Sequence, residues 1–232
     1  MADFIHKYGM NMVNDELDNF YEKSMGIVDL LRRKETKMDI GVDKVIDYAE
    51  RLIQGKGLDL HTLYPEELYQ HCKNVAILSV SLGFLYRLNL QELLDLGVGS
   101  LLHDIGKIEI ADPILKKSSV FELEKGFSIQ DHPIVVFQRI QGFHFNRDVE
   151  HMVLQHHERI DGSGYPFGLF DIPLCVQMVA MTDVFDWMSS KCYRQKEQEM
   201  GETLDALYEM EGFDKRMIDI LKDAFDDAIG GI

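Results

Sequence analysis

The spacing of its apolar residues constrains the fold of this chain more than any other feature of the sequence. In almost every long segment they recur at three- and four-residue steps, which is the period of a helix with one buried face. No segment shows the sustained alternation of apolar and polar residues that indicates a half-buried strand. The sequence therefore predicts an all-α fold. One such segment carries Leu68, Val75, Leu78, Leu82 and Leu85, and another carries Met178, Val179, Met181, Val184 and Met188.

The first 60 residues predict two helices that precede the main body of the chain. Apolar residues mark one face of each helix, and Gly55 and Gly57 are suited to end the second one. We interpret residues 1–60 as an N-terminal helical extension and residues 61–232 as the principal domain. The extension could be a lid, a dimerisation hairpin or the remnant of a sensor, and its sequence does not choose among these.

Charge and cysteine content exclude several classes of function. The formal net charge is -16, which disfavours binding to DNA, RNA or an anionic membrane. Cys72, Cys175 and Cys192 lie far apart without a C-x-x-C pair, so neither a disulfide framework nor a zinc–thiolate site is expected. Because the sequence also shows no signal-peptide core and no membrane-spanning run, it predicts a cytoplasmic protein.

Two adjacent histidines, His156 and His157, close a predicted helix and lead into a glycine-containing loop that ends at Tyr165-Pro166. Neutral imidazole is a common metal ligand and a common general base, so the pair indicates a possible site. Taken alone, the pair is weak evidence, and two solvated histidines at the end of a surface helix would be the favoured interpretation.

Further polar residues interrupt the apolar helices in a similar way. Glu67 and His71 are four residues apart and share a helix face, whereas His103 and Asp104 follow two leucines. A carboxylate at the end of a buried run must be paired or bind a metal. Asp183 has apolar neighbours on both sides and is expected to point inwards. The full set of embedded polar residues is Glu67, His71, His103, Asp104, His132, His156, His157 and Asp183, of which His132 could instead cap a helix.

This donor set combines imidazoles with carboxylates and contains no thiolate. It suits Fe²⁺, Mn²⁺ or a similar divalent transition metal. Eight ligands exceed the needs of one ion, so we predict two or three ions. Metal ions roughly 3.5–4 Å apart that share a bridging carboxylate are arranged for in-line displacement at phosphorus.

Five motifs contain these residues, and together they resemble the HD-GYP family of HD-superfamily phosphohydrolases, whose members typically hydrolyse cyclic di-GMP. The resemblance covers residues 64–225 and implies an HD-superfamily helical bundle. It also implies a metal-dependent phosphodiesterase that produces 5′-pGpG and possibly GMP. The motifs are EELYQH at 66–71, LLHDIGKI at 101–108, DHP at 131–133, HHERIDGSGYP at 156–166 and MTDVFD at 181–186.

The resemblance also implies a role for individual residues. Asp104 matches the catalytic bridging ligand, and Glu67 matches the carboxylate of members that hold a third metal. Lys107 corresponds to the catalytic lysine on the scissile phosphate, while Tyr165 and Asp186 correspond to residues near the dinucleotide. The remaining metal ligands implied by the resemblance are His71, His103, His132, His156, His157 and Asp183.

One segment departs from the family pattern D-x-x-D-A-L-t-s-x-R-P-Y. This chain reads DVFDWMSSKCYR, with Trp187 in place of a small residue and Lys191 near the expected arginine. Lysine cannot grip phosphate or a guanine edge bidentately as arginine does. Lys191 and Arg194 are the remaining candidates for substrate contact, and a linear dinucleotide or a cyclic GMP-AMP is an alternative substrate.

Two other classes of function stay open. One is a non-catalytic module that binds the nucleotide or docks a partner protein through residues 161–168. The other is an HD nucleotidase that acts on mononucleotides. Because all eight ligand positions are filled, the enzyme is the favoured reading, with a regulatory protein partner or a homodimer possible.

Overall fold

The computed structural model describes residues 41–111, 129–189 and 200–229. Within these ranges every regular element is a helix, which confirms the all-α prediction. The first predicted helix of the N-terminal extension, together with Lys191 and Arg194, lies outside the described residues. The helices are α1 (Val42–Gly55), α2 (Leu60–Leu63), α3 (Glu66–Leu85), α4 (Leu90–Leu102), α5 (Gly106–Ala111), α6 (His132–Ile140), α7 (Arg147–Gln155), α8 (Leu174–Ser189), α9 (Met200–Glu209) and α10 (Lys215–Ile229), and 3₁₀ turns occupy Ile129–Asp131 and Gln141–Phe143.

The centre of the fold is α3, which packs against α1, α4 and α8. Glu66 and Glu67 occupy its first turn, where negative charge complements the helix dipole. Pro65 is the N-cap of this helix, which begins at Glu66. Buried side chains follow on nearly every side of the helix, as expected for a helix surrounded by others.

Helix α1 shares the hydrophobic core of the main body. Its Ala49 and Ile53 are completely buried, and the helix packs against α3 and α4. Lys56, just after its end, donates from Nζ to the carbonyl oxygen of Phe143 at 2.5 Å. The described part of the predicted N-terminal extension is therefore built into the same packed body as the residues after position 60.

Two glycines allow the helices around α4 to approach closely. A Cβ atom at Gly99 would come within 2.5 Å of the Met152 side chain of α7. At Gly106, the first residue of α5, a Cβ atom would overlap the carbonyl oxygen of His132. Since interiors are close-packed, the missing side chains bring the ends of α4, α6 and α7 to one place.

The C-terminal helices close the other side of the bundle. Helix α9 packs against α8, and α10 packs against α9 and α3. The turn between α9 and α10 is joined to the loop after α7, since the Ile160 N–H donates to the Gly212 carbonyl oxygen at 3.1 Å. The Arg159 guanidinium lies 4.5 Å from the centre of the Phe213 ring. In the described ranges no helix is both long and apolar enough to cross a membrane.

Candidate metal centre

Five histidines and two aspartates converge where five helices meet. None of these residues is exposed, and all but His71 and His157 are buried. They are His71 in α3, His103 and Asp104 in the turn after α4, His132 at the start of α6, His156 and His157 after the last residue of α7, and Asp183 in α8.

The paired histidines follow α7, an amphipathic helix whose N-terminus is capped by a side chain. The Asn146 side chain accepts a hydrogen bond from the Val149 N–H at 3.0 Å and so begins α7. The buried face of α7 carries Val149, Met152 and Val153, as the sequence predicts. With this face fixed against the core, His156 ends the helix on its buried side.

The first group of ligand atoms, which we call the His71 site, is formed by His71, His103, Asp104 and Asp183. Single ligand atoms of the first three lie within 4.8 Å of one another. One oxygen of Asp183 lies 3.2 Å from His71 Nε2 and 3.7 Å from His103 Nε2. Two imidazoles and two carboxylates thus face a common point.

The second group, the His132 site, combines Asp104 with His132, His156 and His157, again within 4.8 Å. Asp104 Oδ1 lies 3.1 Å from His132 Nε2 and 3.7 Å from His156 Nε2. The two Nε2 atoms of His132 and His156 are only 3.0 Å apart. Asp104 belongs to both groups of ligand atoms.

A metal fits this cluster because two of its buried nitrogens lack a hydrogen-bond partner. The Nε2 atoms of His103 and His157 are buried and make no hydrogen bond within the described part of the chain. Leaving buried polar atoms unpaired costs free energy. His103, His132 and His156 each direct Nδ1 to a backbone carbonyl oxygen, which fixes the tautomer and leaves Nε2 available to an ion.

The charge states also suit metal binding. Burial alone would raise the pKa of Asp104 and Asp183, but the neighbouring His103 and other cationic groups hold both pKa values well below the usual range. Burial lowers the pKa of His156 far below its ordinary value and that of His157 to about 3. At neutral pH the cluster therefore offers ionised carboxylates and two neutral imidazoles.

His71 and His103 hold protons when no ion is bound. Burial opposes charge on His71, yet hydrogen bonds to Asp183 and Asp186 raise its pKa to about 10. Burial likewise opposes charge on His103, and the charge of Asp104 raises its pKa well above the usual value. An ion entering the His71 site must displace these protons.

Lys107 and Tyr165 border the cluster. Lys107 donates from Nζ to Asp104 Oδ2, and its side chain is 19% exposed. Despite burial, the charge of Asp104 raises the pKa of Lys107 to about 12, so the ammonium stays charged. The Tyr165 ring stacks on His157 at 4.5 Å between centroids, and burial raises its phenol pKa to about 12.

A family model described as HD domain matches residues 58–217. This match spans more than half of the chain and includes every ligand of both sites. The chain belongs to the HD domain family. The resemblance predicted from the five sequence motifs is thereby confirmed.

Relatives of this HD domain are named as cyclic dinucleotide phosphodiesterases. The response regulator RpfG of Xanthomonas campestris is 38% identical over 52% of this chain and 33% of its own length. PA4108 of Pseudomonas aeruginosa is 31% identical over 67% of this chain and 39% of its own length. A 3′3′-cGAMP-specific phosphodiesterase of Vibrio cholerae is 28% identical over 68% and 32%. The HD domain chain thus spans about a third of the length of these curated relatives.

Two solved structures share the fold of this HD domain. Bd1817 from Bdellovibrio bacteriovorus aligns with a TM-score of 0.54 and 20% identity, covering 87% of this chain and 68% of that one. A cyclic GMP-AMP-specific phosphodiesterase of Vibrio cholerae aligns with a TM-score of 0.55 and 18% identity, covering 81% and 50%. Both likenesses support the helical architecture.

Three predicted residues of the HD domain have surroundings that the sequence did not anticipate. Glu67 is half-buried one turn before His71 and belongs to neither group of ligand atoms. Asp186 is buried behind His71, where it accepts hydrogen bonds from His71 Nδ1 at 2.6 Å and from Asn74 Nδ2 at 3.0 Å. The alternative role of His132 as a helix cap is wrong, because Asp131 is the cap and His132 begins the helix.

Glu158 is a residue of the HD domain site that sequence reasoning missed. Its carboxylate is completely buried and accepts hydrogen bonds from the Phe167 N–H at 2.7 Å and the Leu169 N–H at 2.9 Å. These bonds close the loop that presents Tyr165, whose peptide bond to Pro166 is cis. Its position next to two histidines was the one signal that could have indicated a role.

Proposed function

We propose that this HD domain is a metal-dependent phosphodiesterase that hydrolyses cyclic di-GMP to 5′-pGpG and possibly to GMP. The observation that carries the proposal is that two groups of potential metal ligands share Asp104. The same carboxylate accepts a hydrogen bond from the Lys107 ammonium. The names of its relatives support the choice of a cyclic dinucleotide as the substrate.

The proposed cofactors are two divalent transition metal ions, with Fe or Mn favoured by the imidazole and carboxylate donors. When bound, such ions activate a water nucleophile and stabilise negative charge on the phosphoryl oxygens. Glu67 is the proposed ligand of a third ion, because it lies one turn before His71 on α3.

The chain itself supplies binding and orientation. Lys107 keeps its positive charge beside the shared carboxylate, so it can attract a phosphate oxygen in a protein with a net charge of -16. Tyr165 remains a neutral phenol that can donate a hydrogen bond, and its ring covers His157. The Glu158 carboxylate holds the loop that carries Tyr165 in place.

A cyclic GMP-AMP is the second candidate substrate. Trp187 is 53% exposed on α8, where the family pattern has a small residue. The sequence after it also lacks the expected arginine, and one relative is named as specific for 3′3′-cGAMP. Lys191 and Arg194 stay proposed substrate contacts.

The test is an anaerobic incubation of Fe²⁺- or Mn²⁺-loaded protein with cyclic di-GMP and, separately, with 3′3′-cGAMP, followed by chromatography. Appearance of 5′-pGpG or GMP supports the proposal, and faster loss of 3′3′-cGAMP assigns the second substrate. Intact nucleotides in the presence of bound metal would contradict the proposed phosphodiesterase activity and favour a non-catalytic nucleotide-binding module. Asp104→Ala is the control variant, expected to lose metal and turnover while its helical circular dichroism is unchanged.

A further inference from the structure

We infer that Asp186 is a positioning residue whose carboxylate orients His71 and makes the His71 site the tighter of the two metal sites. This rests on the metal-binding part of the proposed function and is independent of the substrate. The role differs from the substrate contact that the sequence resemblance implied for Asp186.

The contacts around Asp186 form a short chain of hydrogen bonds. Asp186 is 5% exposed, and its two oxygens accept from His71 Nδ1 at 2.6 Å and from Asn74 Nδ2 at 3.0 Å. Asn74, 7% exposed, accepts in turn from Gln70 Nε2 at 3.0 Å. Since both oxygens of Asp186 are engaged, its carboxylate is held in one orientation.

The imidazole of His71 is therefore held from both sides by the same helix. Asp183 and Asp186 are three residues apart on α8 and so share a face. Asp186 accepts from Nδ1, while Asp183 lies 3.2 Å from Nε2 on the metal side. The Nδ1–H bond to Asp186 places the remaining nitrogen, Nε2, towards the ion.

The other imidazoles with a fixed Nδ1 contact a weaker acceptor. His103 faces the Ser100 carbonyl oxygen at 2.7 Å, and His132 faces that of Ile129 at 2.7 Å. His156 faces the Val153 carbonyl oxygen at 3.1 Å. A carboxylate carries a full negative charge where a carbonyl carries a partial one, so it raises the basicity of the ligand more strongly.

The two sites consequently differ in charge as well as in geometry. The His71 site combines two imidazoles with Asp104 and Asp183, and the Asp186 carboxylate stands directly behind it. The His132 site combines three imidazoles with the shared Asp104. Once His71 and His103 have released their protons, the His71 site carries more negative charge and attracts a divalent cation more strongly, so it is the tighter site.

The experiment is a titration of metal-free protein with Co²⁺, followed by visible absorption and by equilibrium dialysis. We expect two unequal affinities in the original protein. In Asp186→Ala the tighter affinity should fall by about 10–100-fold, while the weaker one stays unchanged. Asp186→Asn keeps an acceptor for His71 and should give an intermediate loss. Asp219→Ala, an exposed carboxylate on α10, should match the original protein.

Two results would overturn the inference. One is an unchanged tighter affinity and Co²⁺ spectrum in a folded Asp186→Ala protein. The other is an equal loss at both sites, which indicates a general loss of packing. If Asp186→Ala does not fold, Asn74→Ala tests the inference instead. It removes the hydrogen bond to one oxygen of Asp186 and should weaken metal binding at the His71 site alone. Failure to cleave a cyclic dinucleotide would change neither the dialysis result nor its interpretation.

Discussion

Gly106 lies against the backbone of His132, so closely that a single methyl group on Gly106 would overlap the His132 carbonyl oxygen. The contact joins the turn that carries His103 and Asp104 to the start of α6. It keeps His132 Nε2 at 3.1 Å from Asp104 Oδ1. Because Gly106 has no side chain, the turn with His103 and Asp104 can pack directly against the start of α6.

Gly106→Ala should therefore push His132 away from Asp104. We expect a loss of about 1–3 kcal/mol in the free energy of unfolding, because backbone must shift to admit the methyl group. Urea unfolding measures this loss, and dialysis should show weaker binding at the His132 site. Gly142→Ala is the matched control, since nothing lies within 4 Å of a Cβ atom there. Equal stability and metal content of the two variants would contradict the explanation.

Glu158→Gln should loosen the loop that carries Tyr165. The amide keeps one acceptor oxygen but turns its NH₂ towards a backbone N–H, so one hydrogen bond is lost at a cost of roughly 1–3 kcal/mol. We expect faster proteolysis within residues 160–170 and a higher KM, with metal content unchanged. Glu209→Gln, at an exposed position, serves as the control. A protease pattern identical to that of the original protein would argue against this role.

Lys107→Met should separate charge stabilisation from metal binding. The Lys107 ammonium stays protonated and is therefore not a metal ligand, so both proposed ions should be retained. Removing a positive charge placed for the transition state should lower kcat by about 10²–10³-fold. Lys73→Met, which removes a surface lysine of α3 paired with Glu50 at 4.0 Å, should leave kcat unchanged. A normal kcat in Lys107→Met would exclude the proposed contact with the phosphate.

Metal affinity should rise with pH. Without an ion, Asp183 and Asp186 keep His71 protonated despite burial, with a pKa of about 10, and the pKa of His103 is also raised. Near neutral pH both rings must release a proton on binding, so each increase in pH below that pKa favours the bound form. Calorimetry in two buffers of different ionisation enthalpy measures the protons released. Identical apparent enthalpies in both buffers would show that none is released.

Trp187→Ala should weaken substrate binding without changing the metal centre. Trp187 follows Asp183 by one helical turn and so lies on the same face of α8, with 53% of its surface exposed. Stacking of a base on an aromatic ring contributes about 1–3 kcal/mol, so KM should rise at least about fivefold. Because the chain has a single tryptophan, quenching of its fluorescence by a non-hydrolysable cyclic dinucleotide reports the contact directly. Unchanged fluorescence at saturation would rule the stacking out.

The helices could be predicted from the sequence because apolar spacing is local, and seven of the eight embedded polar residues do converge in the structure, with Glu67 the exception. Apolar periodicity gives a helix and its buried face, and the inward direction of Asp183 follows from its apolar neighbours. The distinct places of Asp183 and Asp186 could not be obtained in this way. Both lie on one face of α8, and only its packing against α3 places Asp183 beside His103 and Asp186 behind His71.

The role of Glu158 in holding the loop could not be predicted from the sequence. Its partners are the backbone N–H groups of Phe167 and Leu169, which carry no side-chain signature. Their positions are set by how the loop turns in three dimensions. Similarly, the buried face of α1 predicts a helix, but its inclusion in the common core follows from its fit against α3 and α4.

His71 and Asp186 are separated by 115 positions along the chain. Joining segments so far apart requires closing a long loop, which costs chain entropy before any contact compensates for it. The His71 site therefore cannot exist in a nascent chain that lacks α8, however well α3 and α4 have formed. Binding of an ion at the proposed His71 site would require that α3, α4 and α8 have already packed together.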